Sequence, residues 1–260
     1  MRGHNSGVIA LLLTVFLGGF LFAIYPLVSG LVLTRETRQV SEAFIRRVET
    51  SAQTDTPSAE TTAQASIEPE GPAEMDDSPV LYTELLAAIR AYNEQIYREG
   101  QAGLTDAWAY QKPSFELAEY GIDDGVIGVL SIPSIDLEMP IYLGATYEHM
   151  AAGAAHLSQT SLPIGGVNTN CVIAGHRGWK GAAYFLYLDR VQPGDTVTVT
   201  NLWETLTYTV REIRVIEPND IADILIQPGR ELLTLLTCHP YASGGRYRLV
   251  LYCERDEAAQ

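Results

Sequence analysis

The sequence predicts an all-β fold, a barrel or a sandwich of short strands, carried behind an apolar N-terminal helix. From Gly121 onward, short runs rich in Val, Ile, Thr and Tyr alternate with Gly, Pro and Asn turns, the texture of strands joined by tight connections. No internal repeat interrupts that pattern. At the other end of the chain, Gly7 to Leu33 contains no charged residue, and a helix of roughly 20 apolar residues is enough to cross a bilayer core.

Residues 1–6 form an N-terminal flank and 7–33 a transmembrane anchor. The apolar run exceeds the roughly 7–15 residues of a signal-peptide core, and "LVSG" at Leu27–Gly30 is a poor cleavage site. The anchor is therefore expected to be retained. Arg2 and His4 flank one side, Arg35, Arg38, Arg46 and Arg47 the other; by the positive-inside rule alone this bias places the large domain in the cytoplasm. Residues 34–78 make a juxtamembrane segment and an acidic linker. Glu49 to Asp77 holds eight acids, no Lys or Arg, and much Thr, Ser, Ala and Pro, too little apolar surface to offset chain entropy, so disorder is expected there. Residues 79–118 hold a helix and a loop. Leu81, Leu85, Ile89, Tyr92 and Ile96 recur at helical spacing between Pro79 and Gly100, and "TDAWAYQKP" at Thr105–Pro113 has no period.

The β-rich domain covers 119–255, with a tail at 256–260. Expected strands are Val126–Ile132, Met139–Tyr142, Asn170–Ala174, Thr196–Asn201, Leu206–Ile216, Leu232–Thr237 and Tyr247–Cys253, mostly antiparallel, with helical pieces at Tyr147–Ala152 and Ala182–Leu188. "QPGD" at Gln192–Asp195 reads as a turn, and "NLWE" at Asn201–Glu204 joins two strands.

A formal net charge of −15 argues against nucleic acid as a partner. Three cysteines, at 171, 238 and 253, are an odd number without metal-ligand spacing; neither a disulfide framework nor a metal or cofactor site is expected. Asp220 and Asp223 read as a solvated acidic loop. Cys171 and Cys253 lie within apolar runs and read as buried small hydrophobes. Cys238 differs, since it stands at a strand tip in "TLLTCHPY".

His4 and His149 read as bystanders and His156 as structural. His239 adjoins Cys238, so on a strand it points to the opposite face. His176, in "CVIAGHRG", ends a strand between Gly175 and Gly178. Arg248 opens the strand after Cys238; Arg246 shares its parity. Cations lower a thiol's pKa. A cysteine, a histidine and an arginine supply a nucleophile, an acid–base group and a donor to a developing oxyanion. Residue types alone leave open the alternative of a buried cysteine, a turn histidine and a surface arginine.

"TLLTC" at Thr234–Cys238, "AGHRG" at Ala174–Gly178 and the arginine on the following strand resemble the sortases, membrane-anchored cysteine transpeptidases of Gram-positive cell surfaces. The resemblance runs from about Gly121 to Arg255. "GVIGVLSIPSIDLEMPIY", "HLSQTSLPIGG", "VIEPND" and "TCHPY" are similar to class C, the pilin polymerases. The resemblance implies a closed eight-stranded barrel exposed outside the membrane, against the arginine bias. It implies that Cys238 attacks the Thr–Gly bond of an LPXTG-like sorting signal, that His176 transfers the protons and that Arg248 holds substrate and oxyanion. The implied acceptor is a lysine amine of a pilin subunit. It further implies a lid, with Asp106 pairing with Arg248 and Trp108 covering Cys238. Counting back from "YCER" favours Arg248 over Arg246. The segment after Arg255 carries no second apolar stretch, a departure from that class.

Three other readings compete. A sortase anchoring surface proteins to peptidoglycan would use the same chemistry on a different amine. A cysteine peptidase would release cleaved peptide alone. A membrane-tethered binding module would need none of the three residues.

Overall fold

The structure is a computed structural model that describes residues 4–54, 78–104 and 112–256. Eight strands close into a barrel: β1 (Val126–Ile132), β2 (Leu137–Leu143), β3 (Ala154–His156), β4 (Thr169–Ala174), β5 (Thr196–Thr200), β6 (Thr205–Ile216), β7 (Glu231–His239) and β8 (Tyr247–Arg255). Their order around the barrel is β1-β2-β3-β4-β7-β8-β6-β5. Closure removes the exposed edges that a sandwich would keep, which decides between the two architectures.

Local chemistry sets the turns. Asp136, at φ 50, closes the short turn between β1 and β2, a conformation that Asp tolerates better than most residues. The β5–β6 connection is fastened by Asn201, whose Oδ1 accepts the N–H groups of Trp203 and Glu204, both at 2.8 Å. The helix α3 (Tyr147–Ala152) starts at Thr146, whose Oγ1 accepts the His149 N–H at 3.1 Å, an N-cap.

Two pairings are parallel, β2 with β3 and β4 with β7, where alternation suggested antiparallel neighbours. Strand β3 was not expected from the sequence, because "AAH" has no β-branched residue to mark it. The helix expected at Ala182–Leu188 does not form; a short 3-10 turn at Leu188–Arg190 stands near its end. Lys180, Gly181 and Tyr184 take φ of 44, 91 and 42, which no right-handed helix can contain.

The N-terminal helix α1 spans His4–Thr54, 51 residues. It does not stop where the charges begin. Thus 34–54 is helical, including Glu49–Thr54 at the start of the stretch expected to be disordered; residues 55–77 lie outside the described residues. Beyond the apolar run, Thr37, Ser41 and Phe44 are buried, three or four positions apart, so one stripe of the helix faces the barrel. Arg47 pairs with Asp124 just ahead of β1.

The helix α2 (Ser78–Arg98) buries Leu85, Ile89 and Ile96, each worth about 2 kcal/mol relative to exposure. Asn93 clamps it to the barrel. Its Nδ2 donates to the Leu162 carbonyl at 3.2 Å and its Oδ1 accepts from the Leu162 N–H at 2.8 Å.

Candidate active site

Two strand ends and one strand start meet at a single rim. Strands β7 and β8 pair antiparallel with Cys238 directly opposite Arg248, so both side chains leave the same face. Gly245 packs against both: a Cβ built on it would lie 3.0 Å from Arg248 Nη1 and 3.4 Å from Cys238 Sγ. With φ at +80, Gly245 occupies backbone space that L side chains avoid. Arg248 Nη1 donates to the carbonyls of Gly245 and Tyr247 at 2.6 and 3.1 Å, which fixes the root of the guanidinium. Arg246 lies ahead of β8 and is exposed, its backbone N–H bonded to Ser243 Oγ at 3.3 Å. Strand parity left the two arginines tied; the register separates them.

His176 arrives through the parallel pairing of β4 with β7, which aligns Ala174 with Leu236. The ladder continues past the last strand residue. The Gly175 N–H donates to the Leu236 carbonyl at 3.1 Å, and Thr237 Oγ1 donates to the Gly175 carbonyl at 2.8 Å. Two positions farther along, Arg177 Nη1 meets His239 Nδ1 at 2.8 Å. Carried on by two positions, the same register brings His176 level with Cys238. Because the strands are parallel, both residues reach the same end of the barrel.

The imidazole of His176 is half-buried. It stacks on the Trp179 ring, with centroids 4.4 Å apart and planes at 10°. Its Nε2 is buried without a hydrogen-bond partner among the described residues, and burial holds its pKa below the ordinary histidine value. At neutral pH the ring is a proton acceptor with a free nitrogen.

The site is backed by residues to which the sequence assigned no role. Arg177 is buried, pairs with Asp189 and touches His239, and so ties the end of β4 to the end of β7 from behind. Phe185 packs under Gly175, where an added Cβ would come within 2.7 Å of its ring. The signal for Trp179 was present in "HRGWK", an aromatic three residues beyond the histidine.

The remaining residues fall as their surroundings suggested. Cys171 and Cys253 are buried, and burial pushes both thiols well up. His156 is buried, with Nε2 3.0 Å from the Ser161 carbonyl. His149 Nδ1 meets the Gly144 carbonyl at 2.8 Å and its ring stacks on Tyr142. Asp106 and Trp108 lie outside the described residues. No cluster of metal-ligating side chains occurs among the described residues.

A family model described as the sortase domain matches residues 130–256. Sortase A of Streptococcus agalactiae serotype III (strain NEM316) is 29% identical over 140 residues, 52% of this chain and 55% of that protein. The chain thus spans about half the length of that curated relative. Sortase C1 of the group B Streptococcus pilus island 1 matches with a TM-score of 0.65 at 29% identity, covering 86% of this chain and 94% of the other. The lid mutant of Streptococcus agalactiae sortase C1 gives a TM-score of 0.60 at 32% identity, covering 68% and 90%.

Proposed function

The chain belongs to the sortase family, and we propose that it is a membrane-anchored cysteine transpeptidase that joins an LPXTG-like sorting signal to a lysine amine of a pilin subunit. The observation that carries this reading is the pairing of Cys238 with Arg248 beside the register position of His176. The catalytic domain acts outside the membrane, as the class C relatives of pilus systems suggest.

Chemistry follows from the three groups. The Cys238 thiol passes its proton to the neutral His176 ring, and the thiolate attacks the carbonyl carbon of the signal's threonine. Charge that develops on the carbonyl oxygen faces the Arg248 guanidinium, which stays cationic at any working pH. Collapse breaks the C–N bond, and imidazolium returns the proton to the departing glycine amine. A thioester remains on Cys238. An incoming lysine amine then attacks it, gives its proton to His176, and the thiolate leaves. Atoms balance without water or cofactor, and the product is an isopeptide bond.

The decisive experiment incubates the full chain in a bilayer with a pilin subunit that bears the signal. Ladders of covalent multimers on a denaturing gel are expected. Single conjugates formed only with a peptidoglycan-type amine would replace pilin joining by cell-wall anchoring, and cleaved peptide alone would indicate a peptidase.

A lid belongs to the same proposal: Asp106 neutralises Arg248 and Trp108 covers Cys238 when no signal is bound. Asp106→Ala with Trp108→Ala should then speed modification of Cys238 by a thiol reagent. An unchanged rate in a folded double variant would reject the lid.

A further inference from the structure

The helix α1 changes character along its length, and the change locates a water–lipid boundary. From Gly7 to Ala23 every residue is exposed, and the side chains are apolar all round, as lipid-facing helices are. Exposed large apolar side chains continue through Tyr25, Leu27, Val28, Leu31 and Val32. The first charge is Arg35. Residues 7 to 25 number 19, a rise of about 28 Å, close to the roughly 30 Å of a hydrocarbon core. A core that starts at Gly7 ends at Tyr25, which would set the stretch from Pro26 to Thr34 in the headgroup layer.

One loop of the barrel touches the helix within that window. Ser29 Oγ donates to the Lys180 carbonyl at 2.7 Å. Gly30 and Gly181 meet backbone to backbone: a Cβ on Gly30 would come within 2.4 Å of the Gly181 carbonyl oxygen, and one on Gly181 within 1.9 Å of the Pro26 carbonyl oxygen. Only two glycines allow so close an approach. The loop carries Trp179 and Lys180, with the Lys180 ammonium 5.4 Å from the Trp179 ring centre. Tyr147, 52% exposed, stands edge-on to Trp179 at 6.2 Å. Tyr241, 62% exposed, lies beside Gly178. Exposed tyrosines, a tryptophan and a lysine at one level are what the headgroup layer collects.

We propose that the loop Gly178–Gly181, with Tyr147 and Tyr241 beside it, is a lipid-contacting surface that the Gly30–Gly181 contact presses against the bilayer, so that the rim bearing His176 and Cys238 is held in the headgroup layer. The occupant is the phospholipid surface of the membrane that α1 spans, with anionic headgroups meeting Lys180. The proposal rests on the reading of α1 as an anchor, but not on the transpeptidase chemistry.

Trp203 supplies an internal control. It lies in the β5–β6 connection, and the antiparallel pairings of β7 with β8, β8 with β6 and β6 with β5 put that connection at the barrel end opposite the rim. The full chain is reconstituted in phosphatidylcholine–phosphatidylglycerol bilayers brominated near the headgroup end of the acyl chains. In Trp108→Phe with Trp203→Phe, which keeps Trp179, emission should fall to about half that in unbrominated bilayers, the response of an aromatic at the interface. In Trp108→Phe with Trp179→Phe, which keeps Trp203, emission should not change. Adding Gly30→Leu to the first protein should restore most of the lost emission while the chain stays in the bilayer. Equal Trp179 emission in both lipids, or a Gly30→Leu chain still fully quenched, overturns the proposal. A chain that does not float with the bilayers overturns the anchor reading and this proposal together, whatever the pilin assay shows.

Discussion

Cys171 and Cys238 lie on neighbouring strands of one barrel, while His156 ends β3 and His176 follows the neighbouring β4. Cys171 is 3% exposed and aligned with Leu233; burial pushes its thiol up. Cys238 is half-buried and opposite a guanidinium. His156 is fully buried with its Nε2 engaged by the Ser161 carbonyl and Thr160 Oγ1, whereas the Nε2 of His176 has no such partner among the described residues. What separates the two pairs is burial: Cys171 and His156 are closed off inside the barrel, whereas Cys238 and His176 are half-buried at its rim.

The largest effect should come from exchanging the cysteines. Cys238→Ala should abolish the covalent adduct with a signal peptide, read by intact-protein mass spectrometry, while Cys171→Ala should keep it. An adduct on Cys238→Ala would erase the distinction between tip and interior. Next is the arginine. Arg248→Ala should lower the single-turnover rate of adduct formation roughly 10²–10³-fold, the usual loss for one oxyanion donor, and Arg246→Ala should change it little; equal losses would return the assignment to a tie.

The smallest effect concerns the interior histidine. Burial lowers the His156 pKa to about 4, below the ordinary 6.5 of the unfolded chain. As pH falls from 6.5 towards 4, the unfolded chain takes up a proton that the folded one refuses, so stability is full above 6.5 and declines through that window by about 3 kcal/mol. Denaturant titrations at neutral pH and near pH 4.5 should show His156→Gln losing less stability on acidification than the parent; equal losses would mean the ring is not held neutral.

Much of this was legible before any coordinates. Val126–Ile132 and Tyr147–Ala152 have the bounds the sequence predicts, because both elements are set by local signals. Cys238, His176 and Arg248 were legible as strand-end residues, and Leu232–Thr237 and Tyr247–Cys253 as runs beside them. What was not legible is non-local. Parallel pairing of β4 with β7 depends on the whole circuit of the barrel. β3 is a strand only because β2 and β4 flank it. The packing of 34–54 on the barrel depends on a face formed more than seventy residues later. Counting back from "YCER" favoured Arg248 over Arg246, and the register sets Arg248 opposite Cys238; the part Arg177 plays shows only with Asp189 and His239 around it.

The parallel alignment of β4 with β7 has a consequence for how the chain matures. Strands that run the same way cannot be joined by a hairpin, so the polypeptide from Gly175 to Arg230 must travel back down the cylinder before β7 can start. Contacts between such distant stretches form late. The folding chain therefore carries three ordinary thiols, and Cys238 comes to face Arg248 only when the cylinder shuts.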